Sequence, residues 1–139
     1  MGLLGLMRRA DAIAIGIDNT ADAVRTGKVR LLLLSSDAAE HARRKAEYLA
    51  YGRSFPIVEL PYTRDELAAC LGVSGCAAAA VTDLGFANAL MKELAAKDPE
   101  RYAAIAQETE RRSAKAVRRR KETAARKGTK RNVKRRTEA

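Results

Sequence analysis

Two stretches of this chain hold residue types that can act on a ligand. The first is residues 16–27, where Asp18 and Asn19 stand side by side just behind Gly16. An ionised carboxylate only accepts hydrogen bonds, whereas an amide donates and accepts, so the pair can read a donor–acceptor pattern. Asp22 and Arg25 follow on the same segment. The second stretch is the C-terminal run of cations: Arg111, Arg112, Lys115, Arg118, Arg119, Arg120, Lys121, Arg126, Lys127, Lys130, Arg131, Lys134, Arg135 and Arg136. Such a block gives affinity for a phosphate backbone without sequence choice; the plainer reading is a solubilising tail. It holds no aromatic residue, so stacking on single-stranded bases is not expected to dominate. Catalytic chemistry has little support. His41 is the sole histidine, Cys70 and Cys76 are not spaced as CxxC, and no Gly-rich phosphate loop or nucleophile elbow occurs. No catalytic residue, metal site or cofactor is expected.

The charge is unevenly placed. Residues 1–110 carry 13 Lys/Arg against 15 Asp/Glu, a balance of −2, and residues 111–139 carry 14 against 2, a balance of +12. The sequence therefore describes a nearly neutral domain with a polycationic arm. The cysteines read as small buried hydrophobes in a reducing compartment. No membrane span, signal peptide or myristoylation site is recognised, and a cytoplasmic location is expected.

The elements that must position these residues follow from pattern. Residues 3–10 are amphipathic with helical spacing. Ile13-Ala14-Ile15 reads as a short strand, then residues 16–27 as a helix capped by Asp18 and stopped by an αL Gly27. Ala21, Ala23 and Val24 form its apolar side. The helix start thus emerges at a strand end, where anionic ligands tend to sit in α/β folds. Residues 29–34 read as a strand with no polar face at its centre, as in a strand covered on both sides. Asp37 and Glu40 are spaced as a capping box for a helix running to about Tyr51 and stopping at Gly52. Residues 57–60, between Pro56 and Pro61, predict a strand toward an edge. Thr63 and Glu66 form a full capping box for a brief helix ended by Gly72, and residues 73–75 are a loop.

Residues 76–82 are read as a strand whose small side chains let a helix pack closely. Asp83 caps a helix from Leu84 to about Lys97. Asp98-Pro99-Glu100 starts another, with Tyr102, Ile105 and Ala106 facing the domain. The alternation predicts an α/β fold, a three-layer α-β-α sandwich over residues 1–97. Residues 98–139 are a basic extension, expected to be helical to about residue 127, where Gly128 ends it, and disordered beyond. Arg8, Arg9, Arg25, Lys28 and Arg30 are candidates for a basic rim around the residue 16–27 helix.

Several runs together resemble a known family: Gly5-Leu6-Met7-Arg8-Arg9-Ala10; the glycine-framed residues 16–27; the four leucines followed by Ser36-Asp37-Ala38; and Ala80-Val81-Thr82-Asp83-Leu84-Gly85-Phe86-Ala87. The chain is similar in this order and spacing to the ribosomal protein L7Ae/L30e superfamily of kink-turn RNA-binding proteins. It is closest to that superfamily's small bacterial YlxQ-like branch. The resemblance implies a three-layer α-β-α fold and an RNA site at Gly16, Asp18, Asn19, Asp22 and Arg25, with a second loop at Val73, Ser74 and Gly75. In the family the helix opens Gly-x-Asn-Glu with a Lys four residues after the Asn. Here those positions are Asp18, Asn19 and Asp22, so acid and amide are exchanged and an acid replaces the cation. The expected partners are ribosomal or other structured RNA, and ribosomal proteins. The alternative is a protein-interaction scaffold that has lost specific RNA recognition in the domain and keeps its tail as a non-specific nucleic-acid anchor.

Overall fold

Leu31, Leu32, Leu33 and Leu34 are almost entirely shielded from solvent, because both faces of the strand they form are covered. Burying each contributes about 1.5–3 kcal/mol. The structure is a computed structural model that describes residues 2–138, with side chains described to residue 124. Its elements are α1 (Gly2–Arg9), β1 (Ile13–Ile15), α2 (Ile17–Arg25), β2 (Leu31–Leu34) and α3 (Glu40–Ala50). They continue with β3 (Ile57–Glu59), α4 (Arg64–Leu71), β4 (Ala78–Val81), α5 (Leu84–Lys97) and α6 (Pro99–Glu138).

The strands form one sheet in the order β1-β4-β2-β3. β4 is antiparallel to both neighbours, pairing Ala79 with Ile15 on one side and with Leu33 on the other, while β2 and β3 run parallel. β3 lies at an edge, as its flanking prolines predict. Alternation along the central strands divides the core in two. Leu31 and Leu33 of β2, with Ala79 and Val81 of β4, pack with α1, α4, α5 and the start of α6. Leu32 and Leu34, with Ala78 and Ala80, pack with α2 and α3 through Ala23, Val24 and Ala46. This is the expected three-layer arrangement, and alanines on strand and helices hold the second pair of layers close.

Three local expectations are corrected. Asp18 is not the N-cap of α2. That position belongs to Gly16, at φ 90° and ψ 157°, and no side chain caps the helix. Glycine is the residue able to occupy that backbone region, so the chain turns out of β1 one residue after the strand ends. Asp37 does not cap α3 either, where Ala39 is the N-cap without a side-chain bond. Its Oδ1 accepts from the Arg64 backbone N–H at 2.8 Å, adding to the Thr63–Glu66 capping box at the start of α4. The turn after β2 brings it there, since Ser36 N–H donates to the Tyr62 carbonyl at 2.8 Å. Third, α6 continues through Gly128 to Glu138. One glycine costs a helix only about 1 kcal/mol against the strong propensities of its Ala, Arg and Lys neighbours.

The first turns of α6 are part of the packed body. Tyr102, Ala106 and Thr109 are buried. The Tyr102 hydroxyl donates to the Glu59 carbonyl at 2.6 Å, and the Glu59 carboxylate is held between Arg43 of α3 and Arg101 of α6. Further on, Arg112 Nη1 donates to the Ser54 carbonyl at 2.6 Å.

Candidate functional site

β1 ends and β4 begins at the same pole of the sheet, and that pole gathers most of the candidate residues. Gly16 N–H donates to the Ala78 carbonyl at 2.9 Å, continuing the β1–β4 ladder into the turn. The Gly16 carbonyl then accepts from Thr20 N–H at 2.9 Å, which closes the first turn of α2. The Cys76 thiol sits against the Gly16 backbone and donates to the Ala78 carbonyl at 3.2 Å. Burial pushes this thiol up from its ordinary range. The start of α2 and the segment after residues 73–75 are therefore bonded to each other.

On the α2 side, Asp18 points outward, its side chain 94% exposed and its Oδ1 3.8 Å from Lys45 Nζ of α3. A carboxylate in the first turn of a helix also interacts favourably with the helix dipole. Asn19 is exposed as well, and its Nδ2 donates to the Ile15 carbonyl at 2.8 Å, the last residue of β1. That bond orients the amide, leaving its oxygen as the outward acceptor. Asp22 is ion-paired with Arg25 one turn on. Arg25 stands at the far end of α2, about 10 Å along the axis from Asp18.

On the loop side, α4 ends in an αL Gly72 at φ 71° and ψ 33°. Val73 turns inward against the core, so Ser74 and Gly75 are the exposed part. A Cβ placed on Gly75 would stand 3.9 Å from the guanidinium of Arg64, so this cation hangs beside the loop tip.

The structure thus brings together Gly16, Asp18, Asn19 and the loop of Val73, Ser74 and Gly75. Asp22 and Arg25 neutralise each other further along α2. Of the expected basic rim, Arg8 and Lys28 line the groove beside Asn19 and Asp22, with Arg8 also donating to the Leu71 carbonyl at the end of α4, whereas Arg30 precedes β2 at the opposite pole. Sequence reasoning missed Lys45 and Arg64, which reach this pole, as do Arg43 and Arg101 through Glu59 at the end of β3. Arg64 was within reach: a capping box after a strand puts the first helical residue at the carboxyl end of the sheet. Of the tail cations, Arg111 and Arg112 pair with Glu108, whose carboxyl they hold below its ordinary range. The side chains of Arg126, Lys127, Lys130, Arg131, Lys134, Arg135 and Arg136 lie outside those described.

A groove of about 610 Å³ runs from this pole along β1 and α2, lined by polar groups that include Asn19, Asp22, Thr26 and Thr82. Among the described residues, no group of His, Cys, Asp and Glu side chains could hold a metal ion. None of the described helices is long and apolar enough to cross a membrane.

Residues 1–91 match the model of the ribosomal protein L7Ae/L30e/S12e/Gadd45 family. The chain is 33% identical over 96 residues to the RNA-binding protein YlxQ of Bacillus subtilis (strain 168), covering 66% of this chain and 91% of that one. Among solved structures it resembles a protein with unknown function from Bacillus halodurans C, at TM-score 0.56 and 32% identity, over 61% of this chain and 85% of the other. It also resembles the Giardia lamblia 15.5kD RNA binding protein at TM-score 0.50 and 19% identity, over 59% and 69% of the two chains. The last likeness is one of fold.

Proposed function

The chain belongs to the ribosomal protein L7Ae/L30e/S12e/Gadd45 family, and from that premise we propose that it is a non-enzymatic RNA-binding protein acting on structured RNA. One observation carries the reading. The Gly16 turn carries the exposed Asp18 carboxylate and Asn19 amide at the pole of the sheet where Ser74 and Gly75 are also exposed. Both α2 groups present acceptors there, which suits the amino and imino N–H groups of exposed base edges. Such edges are offered where an RNA helix is interrupted, as at a kink-turn. Lys45 and Arg64 supply positive charge to the same pole, offsetting the acids toward a phosphate-rich ligand. The tail cations add affinity that does not depend on sequence.

The test compares a kink-turn RNA with an uninterrupted RNA duplex, binding each to the full-length chain at two salt concentrations. Preference for the kink-turn, reduced by Asn19→Ala, is the expected result. With its nitrogen held by the Ile15 carbonyl, the amide offers one acceptor, and losing one such hydrogen bond costs about 0.5–1.5 kcal/mol, so Asn19→Ala weakens binding roughly 2- to 12-fold. Equal affinity for both RNAs, unaffected by Asn19→Ala, defeats recognition by the domain. It would favour a scaffold anchored only by its tail, a reading that draws support from the acids Asp18 and Asp22 on α2.

A further inference from the structure

A second concave surface lies at the other pole of the sheet, where α6 passes the entrance to β2. It is a groove of about 490 Å³ lined by Val29, Arg30, Ser54, Leu84, Arg112, Lys115, Ala116 and Arg119. All four ionisable groups of this lining are cations. Arg112, Lys115 and Arg119 recur at helical spacing on α6, so they share the face turned to the domain. Arg30 comes from the opposing wall. Arg112 is fixed by the Ser54 carbonyl and by Glu108. Arg30, Lys115 and Arg119 have no ion pair among the described residues, and all three are exposed.

A helix face turned to its own domain ordinarily carries the apolar stripe. Here the stripe ends with the buried Thr109, and cations take its place against another cation. Gathering like charges across a groove is unfavourable until an anion occupies it. The cations also have a matching spacing. From Arg112 to Arg119 α6 rises about 10 Å, the length over which one nucleic-acid strand presents about three phosphates. The geometry points to this groove as a second RNA site, which grips the phosphate backbone of a helical segment while the Gly16 pole faces an interruption in the RNA. The inference rests on the RNA-binding reading above and adds to it where on the arm the backbone lies.

The test uses the full-length chain with Arg30→Ala and Lys115→Ala combined, and a control that removes two exposed cations elsewhere, Arg44→Ala with Lys97→Ala. Affinity for a plain RNA duplex is measured by fluorescence anisotropy over roughly 50–200 mM salt. Far-ultraviolet circular dichroism checks that each variant is folded. Removing two phosphate-binding cations should make the slope of log K against log salt shallower by about 1.8, and weaken binding roughly 60-fold near 0.1 M salt. The control should change neither by a comparable amount. Unchanged duplex affinity in the groove variant, or an equal loss in the control, overturns the inference. So does retained duplex affinity with lost affinity for a polyglutamate peptide, which would assign the groove to an acidic protein segment. Asn19→Ala on a kink-turn RNA reports separately on the Gly16 pole. A silent Asn19→Ala with a strong groove effect leaves this inference standing and removes the domain reading. Failure of the wild-type chain to bind either RNA removes both.

Discussion

Replacing Gly16 by alanine isolates the backbone's contribution to the α2 pole. A Cβ built on Gly16 meets no atom within 4 Å, so the substitution creates no clash. The whole cost is conformational. At φ 90° and ψ 157° the residue lies in a region that is essentially glycine-only, where an L-residue pays about 1–3 kcal/mol. Gly52 provides the comparison. It too has open space, but its φ of 70° is in the range that αL residues adopt, at about 1–2 kcal/mol. Gly16→Ala should therefore destabilise by about 2–3 kcal/mol and exceed Gly52→Ala by about 1 kcal/mol. At about 4 °C per kcal/mol for a chain of this size, Tm falls roughly 8–12 °C. Urea unfolding at constant m-value measures both variants. A D-alanine at position 16, introduced by semisynthesis, supplies the decisive contrast. The mirror image of this backbone geometry borders the extended region, so D-alanine escapes most of the conformational cost and should destabilise less than L-alanine. If L- and D-alanine are equally harmful, or if Gly16→Ala costs no more than Gly52→Ala, the account of the turn is wrong.

Three further outcomes are expected. Tyr102→Phe leaves the Glu59 carbonyl without its 2.6 Å bond and should cost about 0.5–1.5 kcal/mol by urea unfolding. Burial raises the Tyr102 phenol above its ordinary value of 10.0, so its contribution is complete below pH 10 and declines as pH rises through the folded-state value. That alkaline decline should be smaller in Tyr102→Phe. Asp83→Ala removes the cap on Phe86 N–H at 2.9 Å and should destabilise by about 1 kcal/mol, with Asp83→Asn recovering most of it. Cys76 is buried and its thiol is pushed up, so iodoacetamide at pH 8 should modify it far more slowly in the native chain than in urea. Equal rates in both would show that the thiol is not shielded.

Much of the fold was legible because its signals are local. The four leucines of β2, the Thr63–Glu66 capping box, the Asp83 cap and the αL glycines 27 and 72 each act within a few residues. What failed depended on tertiary placement. Asp37 looked like the cap of the helix that follows it, yet it serves α4, 27 positions away. Asp18 has the side chain of a cap, but a glycine two residues earlier made the turn first. Arg8 keeps its place on the groove beside α2, but the orphan carbonyl at the end of α4 also binds it, a contact no local pattern announces. The candidate site was half legible. Gly16, Asp18, Asn19 and the residue 73–75 loop meet at one pole because β1 and β4 pair. Arg64 follows from the capping box after β3, whereas Lys45 arrives from α3, and only the contact of α3 with the start of α2 assigns it to that pole.

The junction between α5 and α6 has a consequence for avidity. Only Asp98 separates the two helices, and Tyr102, Arg101 and Arg112 tie the start of α6 to the body. The arm is consequently not a tether that samples a sphere of solution. On the RNA-binding reading proposed above, once one pole engages an RNA the α6 cations from Arg112 to Arg119 meet the same molecule at an effective concentration set by a fixed direction, with little ordering entropy left to lose. An RNA whose helix leaves the first contact along that direction gains from both poles, and one that departs at another angle gains from one. Selectivity between RNAs can then reside in the angle between their helical segments, even where every α6 contact is to phosphate.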